Sequence, residues 1–216
     1  NGLNNVVGDL DIRNRGKLYY RDVKSANVSG QLNIFAAGEL RMFGSKLTVT
    51  GDLEMGSNLA DLFGLSSSST LVLDVSSKLI VNEQFEVLSG AIVNLDGTLQ
   101  AGSVDIENGG SFAGSGRIQT VVDGTSGVFR FTNSGKLIPG NSPGILTIDG
   151  DYTQTETGVL EIEVGGAVPG DEHDQLVVNG NAALGGTLLL YTIDGYEWTN
   201  TVPVSVIQAT TYQGMF

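Results

Sequence analysis

The feature that most constrains this chain is a five-residue phrase, a small residue followed by alternating variable and aliphatic positions, that recurs along most of its length. Copies read Gly8-Asp-Leu10-Asp-Ile12, Gly30-Gln-Leu32-Asn-Ile34, Gly38-Glu-Leu40-Arg-Met42 and Gly51-Asp-Leu53-Glu-Met55. Others begin at Ser77, Gly102, Gly127, Gly144 and Gly158. Alternation with a period of two sends the aliphatic residues to one side of a strand. Asp9, Asp11, Gln31, Asn33, Glu39, Arg41, Asp52 and Glu54 go to the other, wet side. The glycines supply the positive-φ corners that such closely spaced strands need.

Strands this short do not make a stable sheet alone, but winding the chain so that each turn stacks on the last joins their aliphatic sides into one core. The fold class expected is therefore all-β, a parallel β-helix or β-solenoid. At roughly 20 residues per coil and about 4.8 Å between coils, the chain would give on the order of ten coils and a rod roughly 50 Å long. A β-sandwich is the alternative, disfavoured because its turns are spaced around longer strands. Residues 57–63 are the one doubtful helical stretch, and the Ser-rich segment 64–70 reads as a loop bulging from the rod. Two regions of one rod are expected: a solenoid of short coils over 1–136 and an acidic continuation over 137–216. All four prolines and the single Trp198 lie in the second, so its coils should be less regular, ending in hairpins.

Composition narrows the function. With 40% apolar and 16% charged residues, the 216-residue chain is too apolar for disorder, and 31 Gly with only 4 Pro do not make collagen. There is no cysteine, so no disulfide framework, thiolate metal site or thiol nucleophile is available. The longest apolar runs, such as Leu188-Leu189-Leu190, fall far short of a membrane-spanning helix, so no membrane insertion is expected of this segment. The chain opens at Asn1 without a basic and apolar leader, so either a signal peptide has been removed or the sequence is an internal fragment, and a fragment of a longer polypeptide is the expectation. The net charge is −13, and all 11 Lys and Arg lie between Arg13 and Lys136, so residues 137–216 carry 10 acids and no base. A nucleic-acid partner is not expected from such a balance. The small basic cluster Arg13, Arg15, Lys17, Arg21 and Lys24 reads as a solvated patch.

From Gly135 the sequence runs Gly-Lys-Leu-Ile-Pro-Gly-Asn-Ser-Pro-Gly-Ile-Leu-Thr-Ile-Asp-Gly-Asp-Tyr-Thr-Gln. It continues through Gly158-Val-Leu-Glu-Ile-Glu-Val, Asp174-Gln-Leu-Val-Val and Leu184-Gly-Gly-Thr-Leu188 to Gln213-Gly-Met-Phe216. This order resembles the C-terminal part of autotransporter passenger domains and related large repetitive bacterial surface proteins. The specific motifs cover about residues 135–216, and the generic repeat alone covers the rest. The resemblance implies a right-handed β-helix at the surface of, or outside, a Gram-negative-type bacterium, with adhesive, matrix or filament-building roles.

No catalytic, cofactor-binding or metal-ligating residue is assigned, and no cofactor is expected. His173, the single histidine, sits in the acidic turn Pro169-Gly-Asp-Glu-His-Asp174. That turn lacks calcium-loop spacing and reads as a solvated loop. The carboxylate pairs Asp9/Asp11, Asp149/Asp151 and Glu161/Glu163 each place two acids on one strand face, as a glycosidase would across a cleft, or as any outward face would. No Gly-x-Ser-x-Gly elbow precedes a helix, and Thr48-Val-Thr50 is an isolated Thr-x-Thr rather than an ice-binding ladder. Tyr19, Tyr20, Phe35, Phe43, Phe63, Phe129 and Phe131 are open to three readings: core stacks, a protomer contact or a ligand platform. The function expected is non-catalytic and structural, through self-association or through cell-surface and matrix partners. An adhesin-displaying stalk is the alternative, and a carbohydrate-active β-helix a weaker third.

Overall fold

The computed structural model describes residues 5–56, 68–121, 129–197 and 203–216. The doubtful helical stretch 57–63 with its Phe63, residues 64–67 of the Ser-rich segment, Gly127 and Trp198 lie outside these. Among the described residues there is no helix, and every strand ladder is parallel. The chain is a parallel β-helix.

Its coils have three faces. One is an 8-stranded sheet, here the third face, stacking Lys17–Arg21, Glu39–Phe43, Ser69–Leu73, Ala91–Leu95, Ser111–Gly114, Lys136–Pro139, Val159–Val164 and Thr187–Thr192 in chain order. These strands number the coils one to eight. The first and second faces merge into a 14-stranded sheet, because three strands run through the corner between them: Lys78–Val87, Thr98–Ile106 and Gln175–Leu184. A register shift between Val81 and Gln84 lets the first of these bend.

Compact coils match the expected length: partners stacked one coil apart are 19 residues apart at Gln100 and Gln119 and 22 at Asn33 and Asp11. Elsewhere the separation rises to 30 at Asn181 and Asp151 and 32 at Arg117 and Asp149. Extra chain is inserted at corners between Leu53–Gly56 and Ser69–Leu73, between Arg117–Thr120 and Arg130–Asn133, and after Val159–Val164 and Thr187–Thr192. This is why eight coils with the start of a ninth, Ile207–Gly214, replace the expected ten. Ser69 and Thr70, part of the segment expected to bulge as a loop, belong to a strand instead. The late coils do not turn into hairpins: among the described residues the antiparallel contacts are isolated bridges, Gly114 to Gly140 and Val164 to His173.

The core is a set of columns. Leu40, Leu71, Val93, Phe112, Leu137 and Leu160 occupy one position in six successive coils, all essentially without solvent contact. Phe85, Phe112, Phe131 and Tyr152 run obliquely through the rod with ring centroids 6.5, 5.7 and 5.9 Å apart, each contact adding about 0.5–1.5 kcal/mol beyond area burial. The aromatic residues thus divide. Tyr20, Phe129 and Phe131 are core, whereas Phe35 and Phe43 lie outside under the Arg13 and Arg21 guanidinium groups at 5.5 and 5.0 Å, and Tyr19 is exposed. In coils six and seven the interior turns polar. Asn133 Nδ2 donates to Tyr152 Oη and to the Val159 carbonyl, Tyr152 Oη donates to Gln154 Oε1, and Gln154 Nε2 donates to the Gly158 and Thr187 carbonyls.

At several repeat positions glycine is required for a reason other than the positive φ expected. Gly8 has a positive φ of 99°, but Gly38 and Gly158 do not have one. Their α-carbons face the backbone of the coil below, where a Cβ on Gly38 would lie 2.1 Å from the Ile12 carbonyl oxygen and one on Gly158 2.3 Å from that of Asn133. At the Gly38 corner the positive φ falls on Ala36 and Ala37 instead. Gly38→Ala should therefore cost about 1–3 kcal/mol by forcing two coils apart, and Phe112→Ala about 3–5 kcal/mol through the cavity it leaves. Urea unfolding followed by far-ultraviolet circular dichroism checks both.

Candidate functional site

Outward side chains on the first two faces are largely engaged with the coils above and below them. On the first face Asn27 donates to Asn5 and Gln100 to Gln119, both at 2.9 Å. Arg117 grips Asp149 through two bonds of 2.5 and 2.8 Å, and Asn179 donates to the same carboxylate at 2.7 Å. On the second face Asn33 donates to Asp11 and Gln84 to Asp105. Here Glu54, Glu86 and Asp105 stack in register. Burial, and then the Glu54 and Asp105 charges, hold the Glu86 carboxyl above the ordinary glutamate range.

The third face differs. At its N-terminal end Glu39 takes an ion pair from Lys17 at 2.8 Å and another from Arg41, and their hydrogen bonds hold its carboxyl below the usual range. These bonds make Glu39, read as a wet residue, 7% exposed. Lys136 pairs with Glu161 at 2.9 Å near the other end. Between them the outward positions include Val72, Ile92, Ala113, Ile138 and Val159, and Ile92 is 38% exposed.

The carboxylate pairs fall in three arrangements. Glu161 and Glu163 do share an outward strand face. Asp9 precedes its strand and accepts the Gln31 amide at 2.9 Å, whereas Asp11 lies within Leu10–Ile12 and pairs with Arg13 at 3.1 Å. Asp149 and Asp151 do not share a face: Gly150 separates Ile145–Asp149 from Asp151–Gln154, which belong to the first and second faces. Asp149 is held by Arg117, and Asp151 accepts the Asn181 amide at 2.8 Å.

The turn around His173 is only half solvated, contrary to the loop expected there. Asp171 and Glu172 are exposed, while His173 is 0% and Asp174 1% exposed. The His173 ring lies between two main-chain carbonyls, Nδ1 at 3.1 Å from Gly166 and Nε2 at 3.2 Å from Ser205. Glu172 accepts the Ala167 and Val168 amides at 2.8 and 2.9 Å, closing the turn. Asp174 joins coils: Oδ1 accepts the Gly144 amide and Oδ2 the Glu163 amide, each at 2.9 Å. Gln175 Nε2 adds a 2.8 Å bond to the Ser205 carbonyl. With both ring nitrogens against carbonyl oxygens, His173 is placed as a clamp between windings. Burial pushes the Asp174 carboxyl up to about 6, against the pull of the two amides.

Two further features went unread in the sequence. A shallow groove of about 380 Å³ opens over coils five to seven, lined by Asn108, Gly109, Lys136, Thr157 and Val159 among others. It forms where the corner after Arg130–Asn133 is two residues long, Ser134 and Gly135, between longer neighbours. Glu163 Oε2 and Asn133 Oδ1 are buried and have no hydrogen-bond partner. Among the described residues no group of three or more His, Cys, Asp or Glu side chains is arranged to hold a metal ion. No helix long and apolar enough to cross a membrane occurs among the described residues.

The molecule thus belongs to the class of parallel β-solenoids. Comparison with protein-family models, with curated proteins and with solved structures returned no match to the chain.

The His173 corner yields a pH prediction. A carboxyl whose folded pKa of about 6 exceeds its unfolded value contributes stability at low pH that is lost as pH rises through about 6. Asp174→Asn presents an NH₂ where an amide N–H must be accepted and should cost about 1–3 kcal/mol at pH 7. It should also flatten the pH dependence between about pH 4 and 6 relative to wild type. Urea midpoints across that range test both.

Proposed function

We propose that this chain is a non-catalytic, extracellular structural protein, a β-solenoid rod that forms or decorates a bacterial surface fibre, sheath or layer by associating with copies of itself. The observation that carries this reading is where the polar side chains are spent. Asn27 with Asn5, Asn33 with Asp11, Gln84 with Asp105, Gln100 with Gln119 and Arg117 with Asp149 each join neighbouring coils. They stiffen the rod rather than converge on a shared reacting point, as catalytic groups must. The resemblance of residues 135–216 to passenger-type surface proteins supports export to the cell surface or beyond.

A second reading, a stalk that displays an adhesin, draws on the placement of the insertions. Residues 140–144 and 165–174 both follow third-face strands in successive coils, so these longer connections lie along one edge of the rod.

The charge split between residues 1–136 and 137–216 makes assembly salt-sensitive. Sedimentation of the purified rod at about 20 mM and about 500 mM salt should give different mean masses; identical masses at both would remove the electrostatic part. Electron micrographs of native material showing only single, dispersed rods would count against self-association and for the stalk.

A further inference from the structure

The third face carries apolar residues on both of its sides. Leu71-Val72-Leu73, Ala91-Ile92-Val93 and Leu137-Ile138-Pro139 are unbroken apolar runs within its strands, the pattern of strands buried on two sides. One side is the rod's interior; Val72, Ile92 and Ile138 point the other way, into solvent. The first face places one aliphatic, Ile80, between Thr48 and Gln100 in an outward column, but Lys46, Thr48 and Gln100 there, and Asp11, Asn33 and Glu54 on the second face, are polar.

Charge identifies what covers this face. In coils one and two it bears Lys17, Arg21 and Arg41 against Glu39 alone; in coils six and seven it bears Glu161 and Glu163 against Lys136 alone. A basic end and an acidic end on one flat strip are self-complementary only when reversed. Two copies stacked with coils in the same order would set Arg41 on Arg41 and Glu161 on Glu161. Rotating one copy by a half-turn about the strand direction keeps each residue column in line and reverses the coil order. With coil four over coil five, Arg41 then faces Glu161 and Val72 faces Ile138.

We infer that the third face is the contact between two antiparallel copies of this chain. The inference rests on the self-association reading and specifies its surface and polarity. Eight coils at about 4.8 Å, and strands roughly 15 Å wide, give an interface of about 500 Å² per copy, or about 1,000 Å² in all. That is the lower limit for a specific contact.

The chain has no cysteine, which permits a clean cross-linking test. Val72 and Ile138 share a column three coils apart, through Asn94 and Ala113. At about 14 Å they cannot be bridged within one molecule. Val72→Cys and Ile138→Cys proteins, each checked for wild-type circular dichroism, are oxidised separately and mixed at about 100 µM. The mixture should yield a disulfide-linked heterodimer, and neither protein alone a homodimer. Rapid Val72→Cys homodimers would establish the same-order arrangement and overturn the inference.

As an independent readout, sedimentation equilibrium should show Arg41→Glu weakening the wild-type dimer at least tenfold, with Glu161→Arg in the same chain restoring it. A wild-type dimer that ignores these changes and does not cross-link would overturn the face assignment and leave self-association standing. A wild-type chain that stays monomeric at every concentration would remove both.

Discussion

The parallel hydrogen-bond ladder between one coil and the next is the constraint from which the rest of this structure follows. Among the described residues the strand ladders join each coil to the coils directly above and below it, so stability accumulates floor by floor rather than around a single centre. The spacing of about 4.8 Å is fixed by backbone bonding, and the corners have to respect it. That is why a Cβ at Gly38 or Gly158 would collide with a carbonyl one coil below. It is also why inserted chain is carried at corners, where it leaves the spacing of the strands intact. Aliphatic columns and outward polar pairs are both consequences: equivalent side-chain positions recur directly above one another, so amides meet amides or carboxylates and Arg117 meets Asp149 in the next coil.

Much of the fold was legible in the sequence because the winding writes its alternation directly into the text. Leu32, Ile34, Leu53, Met55, Val104 and Ile106 were assigned inward by periodicity and are buried. Coil length was legible where coils are compact. The division into three faces was not, because a period of two cannot say where a strand bends into the next face. Asp149 and Asp151 illustrate this: their spacing is that of a shared face, and the corner at Gly150 undoes it. The glycine requirement was correctly located and only partly explained: Gly8 and Gly90 have the expected positive φ, whereas at Gly38 and Gly158 the reason is a clash with the coil below, some 20 positions away in the chain.

The corner around His173 shows the same limit. A turn rich in Asp and Glu looks wet, and what buries half of it is chain that returns a full coil later at Ser205. The third face, by contrast, left a readable trace. Consecutive aliphatics such as Leu71-Val72-Leu73 break the alternation seen at Leu10-Asp-Ile12 and mark an aliphatic on a strand's outer side, although Leu79-Ile80-Val81 does the same on the first face.

The polar cluster of Asn133, Tyr152 and Gln154 has a consequence for assembly of the chain itself. Most storeys of this tower are upholstered alike, with leucine over leucine and valine over phenylalanine, so a chain that skipped a storey while winding up would meet little resistance. In coils six and seven a skipped storey would strand an amide and a phenol in hydrocarbon, at about 1–3 kcal/mol for each orphaned group. Those three side chains act as a landing number on an otherwise unmarked staircase.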